Sequence, residues 1–181
     1  MIDLKIYDTA REGNYKEFMK IYEKDNNSIY STLMDTVLVS ALFGEEPYDD
    51  RFKIVKFLIE KKVDINLPTR VQKMNALHCF YYGVWRPDKD YLFEVTKLLV
   101  EYGVNLNAQD FNKSIPLQYL ITRNRLETED IEKTLRYLVE NGSDYTIKNK
   151  YGNSCLDSAK KFEWRNGFLD IVKEYEESKK S

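Results

Sequence analysis

The chain has 181 residues, a length suited to one domain, and its 43% hydrophobic and 32% charged residues exclude a disordered polypeptide. A formal charge of −2 lacks the basic excess that neutralises phosphates, so nucleic acid is not an expected partner. Seven Gly and four Pro are too few for an architecture of many short strands and tight turns.

The opening MIDLKIYDTAREG has no basic stretch leading into an apolar run, so no signal peptide is read there. The densest apolar run, Val37 to Phe43, is broken by Ser40 and far too short for a membrane span. The expectation is a cytoplasmic protein that does not engage a membrane.

In chain order, AREGNYKEFMKIYE (10–23) predicts a helix end, a turn at Gly13–Asn14 and a second helix. DTVLVSAL, centred on Leu38, predicts the next helix. The charged stretch 43–51 follows as a turn, then a helix that closes in KFLIEKKVDIN (56–66). MNALHCF, around Leu77, opens a third pair, with 81–91 as its turn and KLLVEYGVNLN (97–107) as its close. SIPLQYL, around Leu117, opens a fourth, with 121–130 as its turn and RYLVENGSDYT (136–146) as its close. NSCLDSA, around Leu156, opens a fifth.

These segments repeat. Leu38, Leu77, Leu117 and Leu156 recur at intervals of 39, 40 and 39 residues, and Ile6 fits one step earlier. A single domain, 1–181, divides into repeats of approximately 3–30, 31–66, 67–107, 108–146 and 147–178. The apolar positions of Ile54, Val55, Phe57, Leu58 and Ile59 spread over too wide an arc for one covering surface. Stacked neighbours supply the rest.

A period near 40 would by itself favour HEAT-type helix pairs. The motifs point elsewhere. Asn107–Asp110 through Ile115–Gln118 resembles the ankyrin hairpin and its Thr-Pro-Leu-His helix start, with Ile115 for the Thr and Gln118 for the His. Tyr151–Leu156 repeats the arrangement and keeps Gly152, and Asn75–His78 keeps the Leu and the His. The resemblance runs over roughly residues 3–178. It implies an all-α fold: an ankyrin-repeat α-solenoid of stacked antiparallel helix pairs with projecting hairpin-like loops. The residues in excess of the family period are assigned to the turns within each pair. About nine residues are left to join one pair to the next.

Several positions have specific expectations. The four leucines are core, each at the start of an inner helix. Pro116 fits a first helical turn. Gly103 and Gly142 suit a left-handed residue after a helix, and Lys62 occupies their place in the second unit, as a different turn or a strained residue. Thr128 reads as a helix cap. The resemblance gives His78 the role of holding a finger's backbone. Cys79 and Cys155 read as separate, reduced thiols. Glu45, Glu46, Asp49 and Asp50 read as a solvated loop, or alternatively an acidic contact. No phosphate loop, metal-ligand set or nucleophile motif is present, so neither catalysis nor a cofactor is expected.

The resemblance implies that partners lie across the concave face. Candidates at the finger tips are Thr69, Arg70, Gln109, Phe111, Asn112, Lys148, Lys150 and Tyr151. On the inner helices they are Cys79, Tyr82, Tyr119, Thr122 and Arg123. The contact set is Arg70, Tyr82, Gln109, Phe111, Asn112, Tyr119, Arg123, Lys148, Lys150 and Tyr151. Trp85 and Tyr91 are assigned to packing of the third unit's turn. The expected function is a protein–protein interaction module, a monomer on its own. The chain also resembles stand-alone bacterial ankyrin proteins, some of which are immunity proteins that neutralise a cognate toxin. A general scaffold or adaptor is the alternative, and a carboxylate-based enzyme a more remote one.

Overall fold

A computed structural model of the chain describes residues 5–24, 34–44 and 46–180. These residues form ten α-helices and one 3-10 turn, with no strand among them. The helices pair as α1 (Lys5–Glu12) with α2 (Tyr15–Lys24), α3 (Met34–Leu42) with α4 (Tyr48–Glu60) and α5 (Ala76–Gly83) with α6 (Lys89–Glu101). α7 (Pro116–Thr122) pairs with α8 (Thr128–Glu140), and α9 (Cys155–Ala159) with α10 (Gly167–Ser178). The first helices of successive pairs pack on one another, and so do the second helices. The result is the expected all-α, ankyrin-type solenoid, with an inner row α1-α3-α5-α7-α9 and an outer row α2-α4-α6-α8-α10.

The recurrent leucines explain the stacking. Leu38, Leu77 and Leu117 are buried in the seam between units, with Ile54, Leu58, Val95, Leu99, Leu135 and Val139 from the outer row. Leu156 departs from the expectation: it is only half-buried, packed against the edge of the core. It belongs to the last described helix pair, and among the described residues no further pair packs on its free side. α10 closes that end by burying Phe168, Ile171 and Val172 while Asp170, Lys173, Glu174 and Glu177 face out.

The helix ends follow local chemistry. Asn75 and Ser154 cap α5 and α9, each accepting from the backbone N–H three residues on. Asp88 caps α6, and Pro116 opens α7. Thr128 is not the cap of α8. Glu127 holds that position, and the Thr128 hydroxyl donates instead to the carbonyl of Trp164. The turns within pairs are shorter than expected, five residues each at 43–47, 84–88 and 123–127. The flanking residues continue the helices, so α4, α6 and α8 reach 13 residues apiece. Asp49 and Asp50 therefore lie in the first turn of α4, where carboxylates complement the helix dipole, and not in a loop. Glu45 lies outside the described residues. The connections between pairs are correspondingly longer than nine residues, at 61–75, 102–115 and 141–154.

α4, α6 and α8 each turn back through a left-handed residue: Lys62 at φ 61°, Gly103 at 85° and Gly142 at 95°. The second unit thus makes the same turn without the glycine. Just beyond, one asparagine per unit ties each turn to the next. Asn66 donates to the Gly103 carbonyl and accepts from the Asn105 N–H at 2.7 Å. Asn107 does the same with Gly142 and Asp144.

Two buried arginines pin the opposite edge. Arg51 donates to the carbonyls of Ala10, Ala41 and Glu46. A Cβ on Gly44 would lie 2.1 Å from its guanidinium, so only glycine leaves room for it. Arg165, fully buried, donates to the carbonyls of Ile121, Asn124 and Leu126. Burial holds its pKa down to about 10, which still leaves it charged at neutral pH.

Candidate protein-binding face

Three fingers project beside the inner row. Each is a turn closed by a side-chain oxygen at its first residue. Thr69 Oγ1 accepts from the Met74 N–H, Asp110 Oδ1 from the N–H groups of Asn112 and Ser114, and Asn149 Oδ1 from those of Tyr151 and Asn153. Each turn also places one residue at positive φ, namely Lys73, Lys113 and Gly152. One backbone hydrogen bond hooks each finger to its predecessor: Phe111 N donates to Gln72 O and Lys150 N to Asn112 O, both at 2.8 Å. The fingers therefore form one connected edge.

The inner helices hold this edge from below. His78 Nε2 lies 2.9 Å from the Ser114 carbonyl in the next finger, as the resemblance implied. Gln118, at the equivalent place, donates to the Asn153 carbonyl at 2.8 Å. The Tyr119 hydroxyl donates to Asp110 Oδ2 at 2.5 Å. Burial, together with that carboxylate, raises the hydroxyl's pKa, so it remains a donor at neutral pH.

From this base an aromatic band crosses the inner row. Phe43 meets Tyr82 edge-on at 6.1 Å, and Tyr82 meets Tyr119 at 5.9 Å. The Arg123 guanidinium lies 4.1 Å from the Tyr82 ring centre and 5.4 Å from that of Trp85. At the tips, Lys150 lies over the rings of both Phe111 and Tyr151. These rings are open to solvent: Phe111 is 67% exposed and Tyr151 71%, so neither is spent on packing between fingers.

The structure brings together most of the sequence-derived set. Tyr82, Tyr119 and Arg123 form the band; Phe111, Lys150 and Tyr151 form its outer lip. Arg70, Gln109 and Lys148 are exposed along the fingers, and Gln109 donates to the Lys113 carbonyl. Asn112 is half-buried, its carbonyl taken by Lys150. Thr122 donates to the Gln118 carbonyl. Cys79 is not on this surface. It is fully buried, and burial pushes its thiol pKa up to about 12. Trp85 is a correction in the other direction. It is 56% exposed and belongs to the band, whereas Tyr91 is buried as expected. Sequence reasoning also missed Val71, 74% exposed on the first finger, and the cations Lys73 and Lys113. The place of these residues between a closing residue and a helix start was the available signal.

No protein-family model matches the chain. It is similar to a protein of Borreliella burgdorferi named as an ankyrin repeat protein, 27% identical over 143 residues, covering 76% of this chain and 60% of that protein. It is also similar to a protein of Acanthamoeba polyphaga mimivirus named in the same way, 24% identical over 136 residues, covering 75% of this chain and 18% of that protein. The chain thus spans less than two thirds of the length of either relative. Sequence similarity and architecture agree on the ankyrin-repeat solenoid.

Proposed function

We propose that this solenoid binds another protein across its inner face and finger tips and carries out no chemistry of its own. The observation that carries this reading is the Tyr82–Arg123–Trp85 stack on the inner row, together with the open rings of Phe111 and Tyr151 at the finger tips. Exposed aromatic surface is costly in water, and Tyr, Trp and Arg are the usual anchors of interfaces. The fingers that present it are hydrogen-bonded into one edge, so little ordering cost falls on binding.

The test is capture of partners from native lysate by the wild-type chain and by the Tyr82→Ala/Arg123→Ala variant. A specific partner lost from the variant, but kept by Lys97→Ala on the outer row, is expected. Equal capture by all three would refute the reading.

The finer reading, an immunity protein that masks a toxin, rests on the resemblance to stand-alone bacterial ankyrin proteins alone. It predicts that co-expression relieves the toxicity of a neighbouring gene product. Unrelieved toxicity would exclude it.

A further inference from the structure

From α4 onward the charges are divided unequally between the outer helices and the finger edge. The outer helices α4, α6, α8 and α10 carry 14 carboxylates against eight cations. The inner helices α5 and α7 carry no charge at all. The finger edge is basic, with Arg70, Lys73, Lys113, Lys148 and Lys150 against Asp110 alone. Asp110 is 5% exposed, and its carboxylate is occupied by backbone N–H groups and the Tyr119 hydroxyl.

The pairing of these charges matters more than their number. The seven ion pairs formed among the described residues all lie on outer helices. None involves a finger cation or Arg123. The Arg123 guanidinium lies against the rings of Tyr82 and Trp85, and its buried Nε has no acceptor among the described residues. A chain with a net charge of −2 therefore displays a positive, aromatic edge on which Arg70, Lys73, Lys113 and Lys150 form no ion pair among the described residues, while Lys148 interacts electrostatically with Asp157.

We infer that the occupant of this face is an acidic protein segment that carries at least one aromatic or large apolar residue. The inference rests on the binding role proposed above and specifies the partner's chemistry. Carboxylates of the segment pair with Lys113, Lys150 and Arg123, and its apolar side chain lies against Tyr82, Trp85 or Phe111. Complementary charge steers such a segment to the basic edge, and the acidic outer row repels it from the back. A nucleic acid would also seek cations. Its uniform phosphate repeat, however, is opposed by the net negative charge of the whole chain and makes no use of the uncharged, aromatic surface of α5 and α7.

The test selects a displayed library of random peptides on the full chain, then measures the affinity of enriched peptides by fluorescence anisotropy. Enriched sequences rich in Asp and Glu with an aromatic residue are expected. Their binding should weaken about tenfold or more in Lys113→Glu/Lys150→Glu, weaken with added salt, and persist in Glu94→Lys on the outer row. Circular dichroism confirms that these surface variants fold. Neutral or basic peptides lost on Tyr82→Ala/Phe111→Ala would overturn the acidic assignment while leaving the binding face intact. Absence of enrichment, or peptides insensitive to every inner-face variant, would overturn both. Oligodeoxythymidine bound as tightly as the best peptide would also overturn the acidic-segment assignment.

Discussion

His78 on α5 reaches 36 residues along the chain to lie 2.9 Å from the carbonyl of Ser114, so the inner helix of one unit fixes the finger of the next. Its Nδ1 accepts from the Asn75 N–H, which leaves Nε2–H as the donor to Ser114. Gln118 repeats this bond one unit later. The geometry of each finger is therefore set by its neighbour.

This bond makes stability pH-dependent. Burial lowers the pKa of His78 from its ordinary 6.5, so the folded chain resists a proton that the unfolded chain accepts. Stability is then complete above 6.5 and falls as pH drops from there through the lowered folded value. Asp144 and Asp157, whose hydrogen bonds lower their pKa values, add a second loss only below about 3.8. His78→Gln supplies a donor like that of Gln118 and should remove the upper phase at a neutral-pH cost of about 1 kcal/mol. Urea denaturation across pH checks this; an unchanged upper phase in the variant would contradict it.

The asparagine ties predict a graded series. Asn107→Ala loses bonds to both Gly142 and Asp144 and should cost about 1–2 kcal/mol in chemical denaturation. Thr146 holds the equivalent place in the last closing segment and, among the described residues, bonds to Asp144 within its own turn and not across to another unit. Thr146→Ala should cost measurably less than Asn107→Ala.

Much of this fold was legible in the sequence because its signals are local and recur. The leucine register recurs along the chain, Gly103, Gly142 and Pro116 follow from chemistry within a few residues, and the bond of His78 to the next finger was implied by the ankyrin resemblance. The missed features depend on three-dimensional context. Leu156 has the same local sequence role as Leu117, and it is only half-buried because no further helix pair among the described residues packs over it. Cys79 and Tyr82 lie on the same short helix, and their opposite burial is set by α3 and α7 on either side. Trp85 reads as turn packing until Arg123, from the next unit, is seen over its ring. The basic edge was hidden because the acidic outer row balances it in the net charge.

The buried guanidinium of Arg165 predicts a large effect on stability at a residue that is not itself exposed on the binding face. Arg165→Met keeps the apolar bulk but strands the carbonyls of Ile121, Asn124 and Leu126. Leaving such groups unpaired should cost about 3 kcal/mol or more. Thermal melting with the inner-face residues intact measures it, and a loss under about 1 kcal/mol would show that those carbonyls find other partners.

Lys62 predicts a gain. It sits at φ 61° where the next two units use glycine. Lys62→Gly should stabilise the chain by roughly 0.5–1 kcal/mol by relieving the left-handed strain, offset in part by the greater freedom of glycine when unfolded. A rise in the urea midpoint with unchanged slope is the expected readout.

The central claim is that the inner face, with its fingers, is the surface that holds a second protein. A photo-crosslinking residue placed in turn at Phe111, Tyr82 and the outer-row Glu94 tests it most directly, in cells of the native host. The account predicts one common cross-linked species from Phe111 and Tyr82 and none from Glu94. The same species from Glu94 alone would place the partner on the opposite surface and contradict it.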